Sequence, residues 1–253
     1  MHKVKDKDKT KDTLIKELVK MRQRVAKLQA SEAQYKQAKE ELKQSFEKLR
    51  TTMKGAIYAM ALTVEIKDPY TAGHQRKVAN LACALAKEMS LPEDEIEIIR
   101  LAGVIHDIGR IYIPAEILSK PRRLTDIEFN LVKSHPKVGY DILKMVGFPW
   151  PIAQIVLQHH ERMDGSGYPQ GLSGKDIMLE ARILGVADVV EAMASPRPYR
   201  EALGIDEALK EISQNKSTLY GPRVVDACLK LFTEKGFRFK KAKVANSSPN
   251  APG

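Results

Sequence analysis

Cysteine is scarce in this chain of 253 residues. The two present, Cys83 and Cys228, are isolated within apolar helical patterns. A disulfide framework and a cysteine-based zinc site are thereby excluded, and two buried free thiols are expected, as in a reducing, cytoplasmic compartment. Apolar runs of the roughly 18 residues needed to cross a bilayer are missing. The opening MHKVKDKDKTKD has no apolar segment of the kind a secretion signal needs. No membrane span is expected. No stretch alternates apolar and polar residues long enough to form a sheet, and there are no internal repeats. Proline and glycine are absent from Leu14 to Lys54. A hydrophobic share of 43% with 29% charged residues excludes wholesale disorder.

Lys and Arg number 42 against 32 Asp and Glu, a net charge of +10. Over a whole chain that balance suggests nucleic acid or an anionic membrane as partner. Its distribution removes the suggestion. Residues 1–54 carry +8, residues 55–233 carry −2 and residues 234–253 carry +4. The excess sits at the two ends, where a solvated helix face explains it, and no nucleic-acid partner is expected.

From Leu14 the apolar positions step by four and three: Leu14, Leu18, Met21, Val25 and Leu28. The frame continues through Glu32, Tyr35, Lys39, Leu42, Phe46, Leu49, Met53, Ala56 and Met60. That is a heptad seam built from good helix formers. It predicts one helix from about residue 12 to about 66, and a homodimer through residues 14–60. The rest reads as all-helical. Apolar residues recur at helical spacing in 78–89, 96–105, 129–134, 140–146, 152–157, 181–193 and 224–232. Thr125 with Glu128 forms a capping box, and Thr71 and Pro92 mark further starts. Residues 164–174 hold four glycines and a proline and must form a loop. The expected domains are a basic disordered start (1–11), a coiled-coil signalling helix (12–55), a catalytic domain (56–233) and a basic, disordered tail (234–253).

Five histidines fall in the near-neutral middle: His74, His106, His135, His159 and His160. Asp107 and Asp188 lie in the apolar contexts LAGVIHDIG and ILGVADVVEAM, where a carboxylate is costly to bury unless it is paired or bound to metal. Five imidazoles and two carboxylates suffice for two ions sharing one bridging carboxylate. Mixed N and O ligands suit Fe, Mn, Zn or Ni rather than Mg or Ca.

The order His74, His106-Asp107, Asp188 resembles the HD superfamily of metal-dependent phosphohydrolases. HHERMDGSGYP (159–169), ending in Gly167-Tyr168-Pro169, resembles the signature of the HD-GYP subfamily. DPYTAGHQRKV, HDIGRIYIP, EILSKPRRLT, SHPKVGYDIL and SPRPYR extend the likeness over about residues 56–233. The resemblance implies a helical bundle around a metal centre that hydrolyses cyclic di-GMP. One ion would be held by His74, His106, Asp107 and Asp188, the other by His135, His159 and His160, with Asp107 bridging. Fe or Mn is the expected metal. Some members use a glutamate four residues before the first histidine for a third ion. Tyr70 stands there, so two are expected. The resemblance implies that the two cations would acidify a water for in-line attack on phosphorus, with linear pGpG as the product and GMP only if a second cut followed.

Arg110 stands where the family usually has lysine, and is expected to act in catalysis and on a phosphate. Glu191 stands where aspartate is common, with a longer reach. Arg197 and Arg200 match family residues that face phosphate. Glu161 and Asp164 are expected to orient the histidine ligands. Tyr168 is a loop anchor or a partner surface, because the family's GYP loop is implicated in contacts with diguanylate cyclase domains. Lys120, Arg122 and Arg123 read as a solvated basic turn. A cyclase or sensor partner is therefore an expectation, since 55 residues of helix cannot fold a sensor. Two further readings stand beside the phosphodiesterase. One is a catalytically weak receptor or interaction module, which Arg110 and Glu191 would favour. The other is a phosphohydrolase for another cyclic dinucleotide or a guanosine polyphosphate.

Overall fold

The structure, a computed structural model, describes residues 10–67, 73–196 and 201–239. The chain divides into two compact units, residues 1–54 and 55–253. Tyr70, Thr71, Arg197, Arg200 and the tail from residue 240 lie outside the described residues, as does the start through residue 9.

Helix α1 (Lys11–Lys67) begins in the first unit and its last turns belong to the second. Its extent agrees with the heptad reading. In the first unit the seam residues Leu14, Leu18, Met21, Val25, Leu28, Tyr35, Leu42, Phe46 and Leu49 are all exposed.

The second unit is helical. Among the described residues its extended pairing is confined to two isolated bridges, Asp164–Ser173 and Lys216–Tyr220. The last turns of α1 bury Ile57, Ala61 and Val64. Next come α2 (His74–Glu88) and α3 (Glu93–Ile105). Helix α3 starts after Pro92 with Glu93, Asp94 and Glu95 in its first turn, where the helix dipole favours anions. Two short helices, α4 (Ala115–Leu118) and α5 (Asp126–Val132), follow. Thr125 and Glu128 close the expected capping box on α5. Helices α6 (His135–Leu143) and α7 (Ile152–Gln158) lead into the glycine-rich loop, and α8 (Leu179–Ala194), α9 (Ile205–Gln214) and α10 (Pro222–Thr233) complete the bundle.

Helix α2 packs on α3, α8 and α10, while α6 packs on α7 and on the 3₁₀ turn Ile108–Tyr112. The interior includes Leu81, Leu85, Ile99, Leu101, Ile105, Ile183 and Leu184, all essentially inaccessible. Each contributes about 1.5–3 kcal/mol by leaving water. Cys83 and Cys228 are buried free thiols, and burial pushes them up to about 11 and about 12.

Three details differ from the sequence reading. The helix expected over 129–134 runs Asp126–Val132 and stops short of His135. The one expected over 140–146 begins at His135 and ends at Leu143. Helices α4 and α9 were not anticipated, although Ala208 and Ile212 form the buried stripe of α9.

Candidate metal centre

Helix ends build the site. His74 opens α2 and His135 opens α6, while His106 and His159 each follow the last residue of a helix. Asp107 and His160 are the next residues along, and Asp188 stands within α8. All five histidines and both aspartates are thus brought together. His74, His106, Asp107, His135, His159 and Asp188 are buried, and His160 is nearly so.

Gly109 makes this convergence possible. A Cβ there would lie 1.9 Å from the His135 carbonyl oxygen. The turn that carries Asp107 therefore presses its backbone directly on the start of α6, which only glycine permits.

The imidazoles are oriented from behind. Nδ1 of His106 lies 2.8 Å from the Gly103 carbonyl, that of His135 2.7 Å from Val132, and that of His159 2.6 Å from Val156. A carbonyl only accepts, so each Nδ1 carries the hydrogen and donates it. His74 Nδ1 faces Glu191 Oε2 at 2.5 Å. In four neutral rings Nε2 is then left as the lone-pair nitrogen, the state required of a metal ligand.

Those nitrogens face the two aspartates. Asp107 Oδ2 is 3.4 Å from His106 Nε2 and 3.8 Å from His74 Nε2, while its Oδ1 is 3.4 Å from His135 Nε2. Asp188 Oδ1 is 3.2 Å from His74 Nε2, and its Oδ2 is 4.0 Å from His160 Nδ1. Three groups have ligand atoms within 4.8 Å of one another: His74, His106 and Asp188; His135, His159 and His160; and His106, Asp107 and His159.

Two observations test whether a divalent metal fits. The Nε2 atoms of His135 and His159 stand 3.3 Å apart. Each is a lone pair, so neither donates to the other, and the contact is repulsive without a cation. Two nitrogens at about 2.0–2.1 Å from one ion in tetrahedral geometry would be separated by about 3.3 Å. In addition, Asp107 Oδ2 and His106 Nε2 are buried and make no hydrogen bond among the described residues. Buried polar atoms are rarely left so. The donor set fits a divalent transition metal.

The charges agree. Burial alone would raise Asp107, but Arg110 and His106 outweigh it and hold the carboxyl well below the usual range. Asp188 is likewise held well below by His74 and His106 against burial. Burial lowers His135 to about 4 and His159 to about 3, and takes His160 well below its ordinary value. Burial would lower His106 too, but Asp107 and Asp188 reverse the direction and raise it.

Glu191 reaches His74 from behind. Burial opposes ionisation, yet His74, Ser195 and Lys77 hold its carboxyl at about 2. Arg110, expected to act on a phosphate, has its Nε 2.8 Å from Asp107 Oδ1. Its place on the 3₁₀ turn, three residues after Asp107, directs it there.

Glu161 and Asp164 bond within the loop. Neither carboxylate braces a histidine. Glu161 is buried and accepts from the backbone N–H groups of Gln170 and Leu172. Asp164 is exposed and accepts from Ser166 within the loop. Their effect on the site is indirect. They fold the loop so that Tyr168 N–H donates to the His160 carbonyl at 3.3 Å and its ring stacks on His160, centroids 4.7 Å apart. Gly167 permits this, since a Cβ there would lie 2.5 Å from Glu161 Cα. Pro169 closes the triplet. Lys120 is held by Glu128, and Arg122 and Arg123 are exposed.

Lys77 and Ser195 escaped the sequence reading. Lys77 Nζ lies 3.0 Å from Glu191 Oε1, and Ser195 Oγ lies 2.6 Å from the same atom. Lys77 stands three residues after His74, and Ser195 four after Glu191. Each spacing places the pair on one helix face, the available signal.

A sequence profile described as "HD domain" matches residues 59–224. The chain belongs to the HD-domain family. Its Gly167-Tyr168-Pro169 loop carries the HD-GYP signature within that family. It is 43% identical over 173 residues to a cyclic di-GMP phosphodiesterase response regulator of Xanthomonas campestris, covering 68% of this chain and 46% of that protein. It is 40% identical over 188 residues to a cyclic di-GMP phosphodiesterase of Thermotoga maritima, covering 74% and 51%. The chain thus spans about half the length of these curated relatives. A solved structure from Bdellovibrio bacteriovorus, titled an HDG"Y"P protein, shares the HD fold. It aligns with a TM-score of 0.54 at 21% identity, covering 63% of this chain and 51% of that one. No helix among the described residues is long and apolar enough to cross a membrane.

Proposed function

We propose that this HD-GYP domain is a metal-dependent phosphodiesterase that cuts cyclic di-GMP to linear pGpG. The observation that carries the reading is Asp107, whose two oxygens face different sets of histidines. The relatives named as cyclic di-GMP phosphodiesterases supply the substrate. His74, His106, Asp107 and Asp188 would hold one ion and His135, His159 and His160 the other, Asp107 serving both. Bound Fe or Mn would supply Lewis-acid charge for the phosphoryl oxygens and acidify water.

The chain's residues do the rest. Backbone carbonyls and Glu191 take the Nδ1 hydrogens of four histidines, so that each neutral ring presents Nε2 as its lone-pair nitrogen. Arg110 keeps Asp107 ionised. The Tyr168 ring covers His160 and excludes water from that side. Arg197 and Arg200, on the segment leaving α8, take the phosphates. The coil of residues 14–60 pairs two copies, supported by the exposed apolar seam residues from Leu14 to Leu49.

The test is anaerobic incubation of Mn- or Fe-loaded protein with cyclic di-GMP, with cyclic GMP-AMP in parallel. Production of pGpG, lost in His106→Ala and Asp107→Ala, is the expected result. Tight binding of cyclic di-GMP without any turnover would make the domain a receptor. Faster cleavage of cyclic GMP-AMP would reassign the substrate.

A further inference from the structure

Glu191 does more than face His74. Its Oε2 accepts from His74 Nδ1 at 2.5 Å, while Oε1 takes Lys77 Nζ at 3.0 Å and Ser195 Oγ at 2.6 Å. Lys77 also donates to Ser195 Oγ, at 3.2 Å. The carboxylate is buried, so these contacts are not diluted by water. The three partners have different attachments. His74 belongs to the metal centre. Lys77 lies one turn further along α2. Ser195 is the C-cap of α8.

We propose that Lys77, Glu191 and Ser195 form a positioning clamp. It fixes the tautomer of His74 and ties that histidine to the C-terminal end of α8. The inference rests on His74 as a metal ligand. Both Glu191 oxygens are acceptors with donors on them, so the clamp needs a carboxylate and not merely its shape.

Glu191→Gln shows why. The amide has one acceptor and one donor end. With its oxygen on His74, the NH₂ group meets the Lys77 ammonium, and two donors oppose each other. With its NH₂ on His74, that ring must accept at Nδ1, so Nε2 carries the hydrogen and cannot ligate. Removing the lysine charge relieves the first conflict. Adding Lys77→Met to Glu191→Gln therefore lets the amide oxygen settle on His74.

Mn²⁺ affinity is measured for the full chain, Glu191→Gln, Lys77→Met, the double variant and Ser195→Ala. The metal-free proteins are examined in parallel by ¹⁵N NMR of the histidine rings. Glu191→Gln is expected to weaken Mn²⁺ about 10- to 100-fold, the range for losing an outer-shell partner. The double variant is expected to bind several-fold more tightly than Glu191→Gln alone, a sign of coupling that independent packing losses do not give. Ser195→Ala, which leaves Lys77 on Oε1, is expected to weaken Mn²⁺ less than Glu191→Gln does. In the metal-free unaltered chain, His74 is expected as the Nδ1–H tautomer, shifted in Glu191→Gln. Unchanged Mn²⁺ affinity in Glu191→Gln, or a double variant no better than that single variant, overturns the clamp. An unaltered chain that binds no metal but keeps the Nδ1–H tautomer at His74, lost in Glu191→Gln, overturns the metal reading and supports the clamp.

Discussion

His135 and His159 point bare Nε2 nitrogens at each other across 3.3 Å, and each ring is held from behind by a carbonyl three residues earlier in the chain. The two rings come from opposite kinds of helix end, the start of α6 and the residue after α7. Folding alone thus brings together two acceptors with no proton to share. A cation turns that repulsion into a bond, so metal binding and stability are linked.

Stability should therefore track metal. Mn²⁺ at about 100 times its dissociation constant is expected to raise the unfolding free energy by about 2.7 kcal/mol, and chelation to reverse it. Urea titrations with and without chelator measure this. His159→Ala, which removes one of the facing nitrogens, should reduce the metal-dependent increment.

Acid should weaken the metal-free protein. His135 is held at about 4 and His159 at about 3 by burial, against 6.5 in an unfolded chain. Between those limits the unfolded chain binds protons that the folded one does not, so stability falls as pH drops from 6.5 towards 4. His160 acts the same way. His106, raised when folded, acts oppositely, its contribution being present at low pH and lost as pH rises. Three groups oppose one, and the urea midpoint of chelated protein should be lower at pH 5 than at pH 7.5. A higher midpoint at pH 5 would contradict this balance.

Gly109→Ala should cost about 3 kcal/mol, the upper end of overpacking penalties, because its Cβ would meet the His135 carbonyl oxygen. It should weaken metal binding as well, by moving Asp107. Gly55→Ala is the contrast. Nothing lies within 4 Å of that Cβ, and helix propensity favours alanine by about 1 kcal/mol.

Arg110 should act through Asp107. Arg110→Met removes the cation 2.8 Å from Oδ1 and makes the carboxylate easier to protonate. The pH midpoint of Mn²⁺ binding is expected to rise by about one unit, the low end for losing a close opposite charge. Arg110→Lys should shift it less. An unmoved midpoint in Arg110→Met would return the arginine to a role on substrate alone.

Leu28→Asp with Leu42→Asp should convert a dimer to a monomer in sedimentation at micromolar concentration. Both leucines are exposed on the heptad seam. The Mn²⁺ affinity of the second unit should not change.

Periodicity and ligand chemistry made much of this legible in the sequence. The helix Lys11–Lys67 follows from a heptad frame with no proline or glycine from Leu14 to Lys54, and the seven ligand candidates from five histidines in the near-neutral middle, two aspartates in apolar contexts and the likeness to the HD superfamily. Orientation was not legible. Glu161 follows two candidate ligands directly, yet its carboxylate turns to the backbone of Gln170 and Leu172, because the glycine-rich loop folds back over it. The contact of Arg110 with Asp107 is not legible either, because it depends on a 3₁₀ turn that brings a side chain three residues on back to the carboxylate. Lys77 and Ser195 lie at ordinary helical spacings that acquire meaning only when α2 and α8 pack together.

Metal stoichiometry with electron paramagnetic resonance of Mn²⁺-loaded protein bears most directly on Asp107 as a shared ligand. The expected result is about two ions per chain with a spin-coupled spectrum, as for bridged ions about 3.5–4 Å apart, and loss of the coupling in Asp107→Ala. A single uncoupled ion per chain, or a coupled pair that survives Asp107→Ala, would contradict it.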